Sequence, residues 1–188
     1  MKIDSFLHKK NQLNAQQGVT LIEVLIALFI IITGVLGAVG MQAVAQKSSF
    51  DAMQRSIASS LAQDIIERMR NNSNANMSLY AANSPYGSGK ITTEPTCNSL
   101  LNLCTPAQMV SHDLFGWEQS LMGAEAKNNG NNKGGLLNAY GCISNVNNAV
   151  SVVISWQGRT KTSDTFDSKD CGTSGSKRRQ VIVEAFIY

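Results

Sequence analysis

Glu23 is a carboxylate at the head of a stretch that carries no other charge. From Val24 through Gln46 there are 23 uncharged residues, most of them Val, Ile, Leu, Ala, Gly or Phe. A carboxylate inside a membrane-length segment costs on the order of 3 kcal/mol at the helix centre and calls for a partner. No Lys or Arg lies between Lys10 and Lys47 to provide one. Either Glu23 reaches back to an interface as a helix-end acid, or a cation from outside the segment meets it.

Other residue types that could do chemistry are sparse. Ser111-His112-Asp113 holds the members of a hydrolase triad. Consecutive helical positions point about 100° apart, however, and cannot relay a proton. His112 and Asp113 are therefore expected on a polar helix face. No phosphate-binding glycine loop is present. The chain reads as a protein without cofactor, metal or enzymatic activity. Lys177-Arg178-Arg179, with Arg159, Lys161 and Lys169, could face DNA, but Asp164, Asp167 and Asp170 share the segment and blunt it. A solvated loop is the expectation there, and nucleic acid is not expected as a partner.

Four cysteines, Cys97, Cys104, Cys142 and Cys171, all follow the apolar stretch. An even number in an exported domain points to two disulfides in an oxidising compartment. Of the three possible pairings, sequence order favours Cys97–Cys104 and Cys142–Cys171. No CxxC pair exists, so zinc spacing is absent.

The elements that position these groups follow from spacing. At about 1.5 Å per residue, the 23 uncharged residues of a helix would reach roughly 34 Å, enough to cross a bilayer core of about 30 Å. The polar segment before it holds Lys2, Lys9 and Lys10 against Asp4, which keeps that end in the cytoplasm and exports the rest. Phe50, Met53, Ile57, Leu61, Ile65 and Met69 then recur at steps of three and four, one face of a continuing helix. The spacing predicts a single helix from about Val19 to about Arg70, ended by Asn71-Asn72-Ser73-Asn74. Gly34, Gly37 and Gly40 interrupt its apolar half, either for close helix–helix contact or as a weak point, since each costs about 1 kcal/mol of helix propensity.

Ser73 to Ser99 is rich in Asn, Ser, Gly and Pro and reads as a long surface loop. Thr105-Pro106-Ala107-Gln108 carries a capping box with Pro in first position, so a helix near Pro106–Met122 is expected, with Val110, Leu114, Trp117 and Leu121 facing the core. Asn128–Gly135 is turn chemistry. Leu137–Ser144, Ala149–Trp156 and Gln180–Tyr188 read as strands, with a tight connection at Asn145–Asn148. The fold class is α+β: a long helical spine packed on a small antiparallel sheet.

Gln16-Gln17-Gly18-Val19-Thr20-Leu21-Ile22-Glu23 and the apolar stretch behind it resemble the type IV prepilin signature. That signature is a short basic leader ending in Gly, then a hydrophobic segment with Glu at its fifth mature position. A secretory signal would instead be cut after its apolar part. Val19 stands where the family favours Phe or Met. The resemblance implies cleavage by prepilin peptidase between Gly18 and Val19, N-methylation of Val19, and docking of Glu23 onto the new α-amine of a neighbouring subunit. Removing Met1–Gly18 takes away His8, three Lys and one Asp, so the net charge falls from +3 to +1.

Glu67-Arg68-Met69-Arg70-Asn71-Asn72, Cys104–Gln108 with His112-Asp113 and Trp117, and Ser151–Trp156 followed by Cys171 further resemble minor pilins of the PilV type, the type IV pilus modification proteins. That likeness implies a low-abundance fimbrial component of a tip complex that primes pilus assembly, supporting twitching motility and cell adhesion. Its partners would be the major pilin, other minor pilins, the inner-membrane assembly platform, and membrane lipid before assembly. The expected segments are a cytoplasmic leader (1–18), a transmembrane and filament-core helix (19–46), its amphipathic continuation (47–72) and a periplasmic domain (73–188), the chain later joining the pilus on the cell surface. A type II secretion pseudopilin shares the leader, and a pilus-tip adhesin or DNA-uptake receptor is the rival of another class.

Overall fold

The computed structural model describes residues 18–72, 77–93, 95, 103–124, 126–132, 134–161 and 171–188. Most of the leader, Cys97 and the acidic positions 164, 167 and 170 lie outside them. Two compact units emerge, one ending at Val44 and one running from Ala45 to Tyr188. Helix α1 spans Leu21–Asn71. It begins two residues later than the sequence predicts, with the Thr20 carbonyl accepting the first bonds from the Glu23 and Val24 amides at 3.1 and 3.3 Å.

In the first unit the apolar side chains of α1 all face outward: Leu21 is 80% exposed, Phe29 69% and Val44 68%. A helix that is apolar all round needs lipid or other helices about it. Its length and composition suffice to cross a membrane. Thr33 satisfies its hydroxyl within the helix, donating to the carbonyls of Phe29 at 3.1 Å and Ile30 at 2.9 Å. The helix is unbroken through Gly34, Gly37 and Gly40. No atom of the chain comes within 4 Å of where their Cβ atoms would stand.

In the second unit α1 buries Gln54, Ala58, Ala62, Ile65, Ile66 and Met69. This stripe is rotated from the predicted one: Met53 is 54% exposed, and Ile57 and Leu61 are only partly buried. The reason is close approach. Ala58 and Ala62, both fully buried, sit on the face that joins the core, and the Trp117 indole reaches the Leu61 carbonyl, Nε1 donating at 2.8 Å. Counting large apolar residues locates the helix but misplaces its contact face by about one position.

Trp117 belongs to α3, Pro106–Met122, which matches its expected bounds. The capping box is complete: the Gln108 amide donates to Thr105 Oγ1 at 3.3 Å, and the Thr105 amide donates to Gln108 Oε1 at 2.9 Å. Gly123 ends the helix at φ 66°. A side chain there would collide with the Gly134 carbonyl, so glycine is required on both counts.

The sheet has β3 (Tyr140–Val146), β4 (Ala149–Gln157) and β5 (Arg178–Phe186), all antiparallel with β4 central. A separate two-residue hairpin, β1 (Lys127–Asn128) and β2 (Asn131–Asn132), precedes it. Asn147 and Asn148 turn between β3 and β4 with φ of 49° and 66°, the primed turn that matches strand twist. The first predicted strand starts late, because Leu137-Asn138 is a turn with Asn138 at φ 47°. Val150, Val152 and Ile154 point to the core beside α1 and α3.

The surface loop expected over Ser73–Ser99 is corrected where it is described. It contains α2, Ser78–Ala81, and two fully buried tyrosines, Tyr80 and Tyr86. Tyr86 exchanges backbone bonds of 2.8 and 3.0 Å with Gly141, adding one residue of pairing to the edge of β3. Polar composition concealed two aromatic anchors.

Cys142 and Cys171 form a disulfide, with Cα atoms 5.7 Å apart and 29 residues of separation. On the chain-entropy account that closure contributes about 3.6 kcal/mol. A Cys142→Ser chain is expected to lose most of this, read as a lower urea midpoint with a slope that rises as the unfolded chain expands. Cys104 is also disulfide-bonded.

Candidate assembly site

Gly18 and Val19 precede α1 in exposed, non-helical backbone. Among the described residues nothing lies within 4 Å of the Gly18 Cβ position. Glu23 occupies the first turn of α1 and is exposed. An acid there is favoured by the unpaired amides and dipole of the helix start. Among the described residues none forms an ion pair with Glu23. The structure thus presents exposed, non-helical backbone at Gly18-Val19, an exposed carboxylate one helical turn beyond it, and an uncovered apolar helix.

The second unit holds a partly buried polar network that joins α1, α2 and α3. The Tyr80 hydroxyl donates to Asp113 Oδ2 at 2.8 Å. Arg68 lies 3.6 Å from Asp113 and donates through Nε to Asp64 at 3.0 Å. Asn72 Nδ2 donates to the Pro106 carbonyl at 2.9 Å and to the Tyr80 oxygen at 3.3 Å. A groove of about 250 Å³ lies beside it, lined by Arg68, Asn72, Pro106, Met109 and Asp113 among others. Asp113, expected on a polar face, is therefore a buried acceptor, 6% exposed. Ser111 donates to the Ala107 carbonyl at 3.4 Å, so these two triad candidates have separate structural partners.

Glu118 is wholly buried and was missed. Its carboxylate accepts the backbone amides of Gly87, Lys90 and Ile91 at 3.0, 3.3 and 2.8 Å, fixing the segment after Tyr86. The signal was available. A helical face started at Val110 passes through Asp113 and Glu118 at i+3 and i+8. Charge argued against burial, and the backbone amides that make it tolerable are remote in sequence.

Burial pushes the Tyr80 phenol well above its ordinary range, with Asp113 adding and Asn72 opposing. Burial likewise raises Tyr86 to about 12, with Glu118 nearby adding to it. Both groups hold their protons longer folded than unfolded, where they leave near pH 10. Stability is thus full below about pH 10 and falls as pH rises through about 12, by roughly 3 kcal/mol from Tyr86 alone. Alkaline unfolding that coincides with phenolate absorbance is the expected result; complete phenol titration of a chain that remains folded would contradict it.

Two comparisons bear on this arrangement. The prokaryotic N-terminal methylation motif matches residues 13–39, covering Gly18, Val19 and Glu23. A leader of this kind marks a chain processed by prepilin peptidase. The family described as Type IV pilin Tt1218 matches residues 40–115, from the apolar half of α1 into α3. No curated protein and no solved structure matches the chain. With the long apolar helix and the three-stranded antiparallel sheet, these two adjoining matches make the chain a type IV pilin. The apolar helix and leader fit an inner-membrane-anchored pilin.

Proposed function

We propose that this pilin is a minor subunit of the PilV type, cleaved between Gly18 and Val19, methylated on Val19 and incorporated into a type IV pilus or its assembly-priming tip complex. Before assembly residues 19–46 lie in the inner membrane, the leader is cytoplasmic, and the domain that follows the helix is periplasmic. Afterwards the same helix lies in the filament core among the major pilin and other minor pilins. The observation that carries the reading is Glu23, an exposed carboxylate with no cation in its own chain between Lys10 and Lys47. Cleavage manufactures the missing charge four residues away, on Val19. In apolar surroundings the acid of one subunit and the amine of the next satisfy each other, which fixes the axial register between neighbours.

Deleting the gene and counting surface pili tests the role. Fewer pili, with loss of twitching, is the expected result. A defect in protein secretion with normal piliation would move the chain to a secretion pseudopilus. Normal pilus number with lost adhesion or DNA uptake would make it a displayed receptor.

A further inference from the structure

The three-stranded sheet is closed at one edge and open at the other. On the β3 side Tyr86 exchanges backbone bonds with Gly141, and Ser84 Oγ accepts the Ile143 amide at 3.2 Å. On the β5 side no further strand pairs with the sheet among the described residues. The Gly158 amide donates to the Lys177 carbonyl at 2.8 Å, and the Ile187 amide to the Asn148 carbonyl at 3.0 Å. Strand bonding alternates, so the odd-numbered residues of β5 bond β4. The backbone groups of Gln180, Ile182, Glu184 and Phe186 point outward, whereas Arg178 spends its amide on the Gly175 carbonyl. Side chains repeat the asymmetry. Val150, Val152 and Ile154 of β4 are buried, while Ala185, Val183 and Val181, directly across from them, are only partly so. On the other face Ile182 and Phe186 are half exposed. Free edges are ordinarily blunted by Lys or Pro. Gln180 to Phe186 contains neither, and its sole charge is Glu184.

We infer that the open edge of β5 is a self-association surface, on which a second copy of this chain lays its own β5 antiparallel about a two-fold axis through Ile182. The strand's own charges select the second copy and the register. With Ile182 facing Ile182, all nine residues of β5 overlap, and each Glu184 carboxylate meets the amide side chain of Gln180. On the inner face Val181 then meets Val183, which completes the burial that the edge leaves unfinished. Centring the pair on Val183 instead brings the two Glu184 carboxylates onto one diagonal, within about 8 Å, and centring it on Glu184 sets them directly opposite. Centring it on Val181 pairs fewer of the free amides, since that of Arg178 is already taken.

The test places single cysteines along β5 of the full chain in detergent micelles, with mild oxidation read on non-reducing gels and by mass spectrometry. Among the described residues no native cysteine is free to compete. Across the two-fold axis the Ile182 Cα atoms stand about 5.5 Å apart, within the reach of a disulfide. Ile182→Cys should therefore link to itself at least about tenfold faster than Phe186→Cys, whose copies lie roughly 26 Å apart. Mixed Gln180→Cys and Glu184→Cys chains should link to each other in preference to themselves. Adding Ile182→Pro to that mixture removes an amide that β4 does not use, so the sheet stands while the link is lost. Equal linking at every position, as association through the apolar helix alone would give, overturns the inference, and so does no linking at Ile182. If Ile182→Cys in whole cells links to a different pilin and never to its own copy, the edge belongs to that partner and the second copy is overturned.

Discussion

A Glu23→Ala chain is expected to insert in the membrane and lose its leader normally, yet to be missing from sheared pili. On the proposed scheme, insertion depends on the apolar stretch, which the change lengthens, and cleavage on Gly18, whose backbone is exposed. Docking is different. In a filament core, removing one member of a buried ion pair strands the other at a cost of about 3–5 kcal/mol. That is a loss of at least about a hundredfold in incorporation at equilibrium. Glu23→Gln keeps the shape and loses the charge, so it should fail almost as badly, which separates electrostatics from packing. Immunoblots of membrane and sheared-fibre fractions, with the mature N-terminus read by mass spectrometry, supply the measurement. Recovery of either variant in fibres at the normal level would remove Glu23 from docking, and a mature end other than Val19 would remove the cleavage scheme itself.

The second large effect lies in the domain that follows the apolar helix. Trp117 is fully buried, meets Tyr86 edge to face at 5.6 Å, and donates to the Leu61 carbonyl. It also packs on Gly141, where any side chain would collide with its ring. Trp117→Ala should cost about 3–5 kcal/mol from the cavity and lost burial, against a total stability of about 5–15 kcal/mol for a domain. The expected outcome is a chain degraded in the cell or unfolded at a much lower denaturant midpoint. Trp117→Phe keeps most of the volume and loses one hydrogen bond to a carbonyl that the helix also uses, a cost of about 1 kcal/mol. If the alanine chain were as stable as the phenylalanine chain, the α1–α3 contact would not be the centre of the core.

The closeness of that contact explains where sequence patterns misled. Large apolar residues marked α1 correctly, but the buried face follows Ala58 and Ala62, small residues that a count of large apolar side chains passes over. Asp113 and Glu118 sit at helical positions that a periodic count assigns to the core, and their charge argued otherwise. Their burial depends on Tyr80 and Arg68 and on the Gly87–Ile91 amides, partners far away along the chain. Tyr80 and Tyr86 were hidden in a segment whose average composition is polar.

What this chain's residues determined alone is what local physics controls. The apolar half of α1 came from an uncharged stretch of membrane length, α3 from a capping box and helical period, the β3–β4 turn from paired asparagines, and the leader motif from the order of Gly18, Val19 and Glu23. These signals need only neighbours within a few positions. The tertiary structure decided which face of α1 is buried, why two carboxylates and two tyrosines go inside, and that Arg159 and Arg179 gather at Phe50 and Asp51. Each of those outcomes joins residues tens of positions apart, and no period or propensity carries the free energy of such a contact.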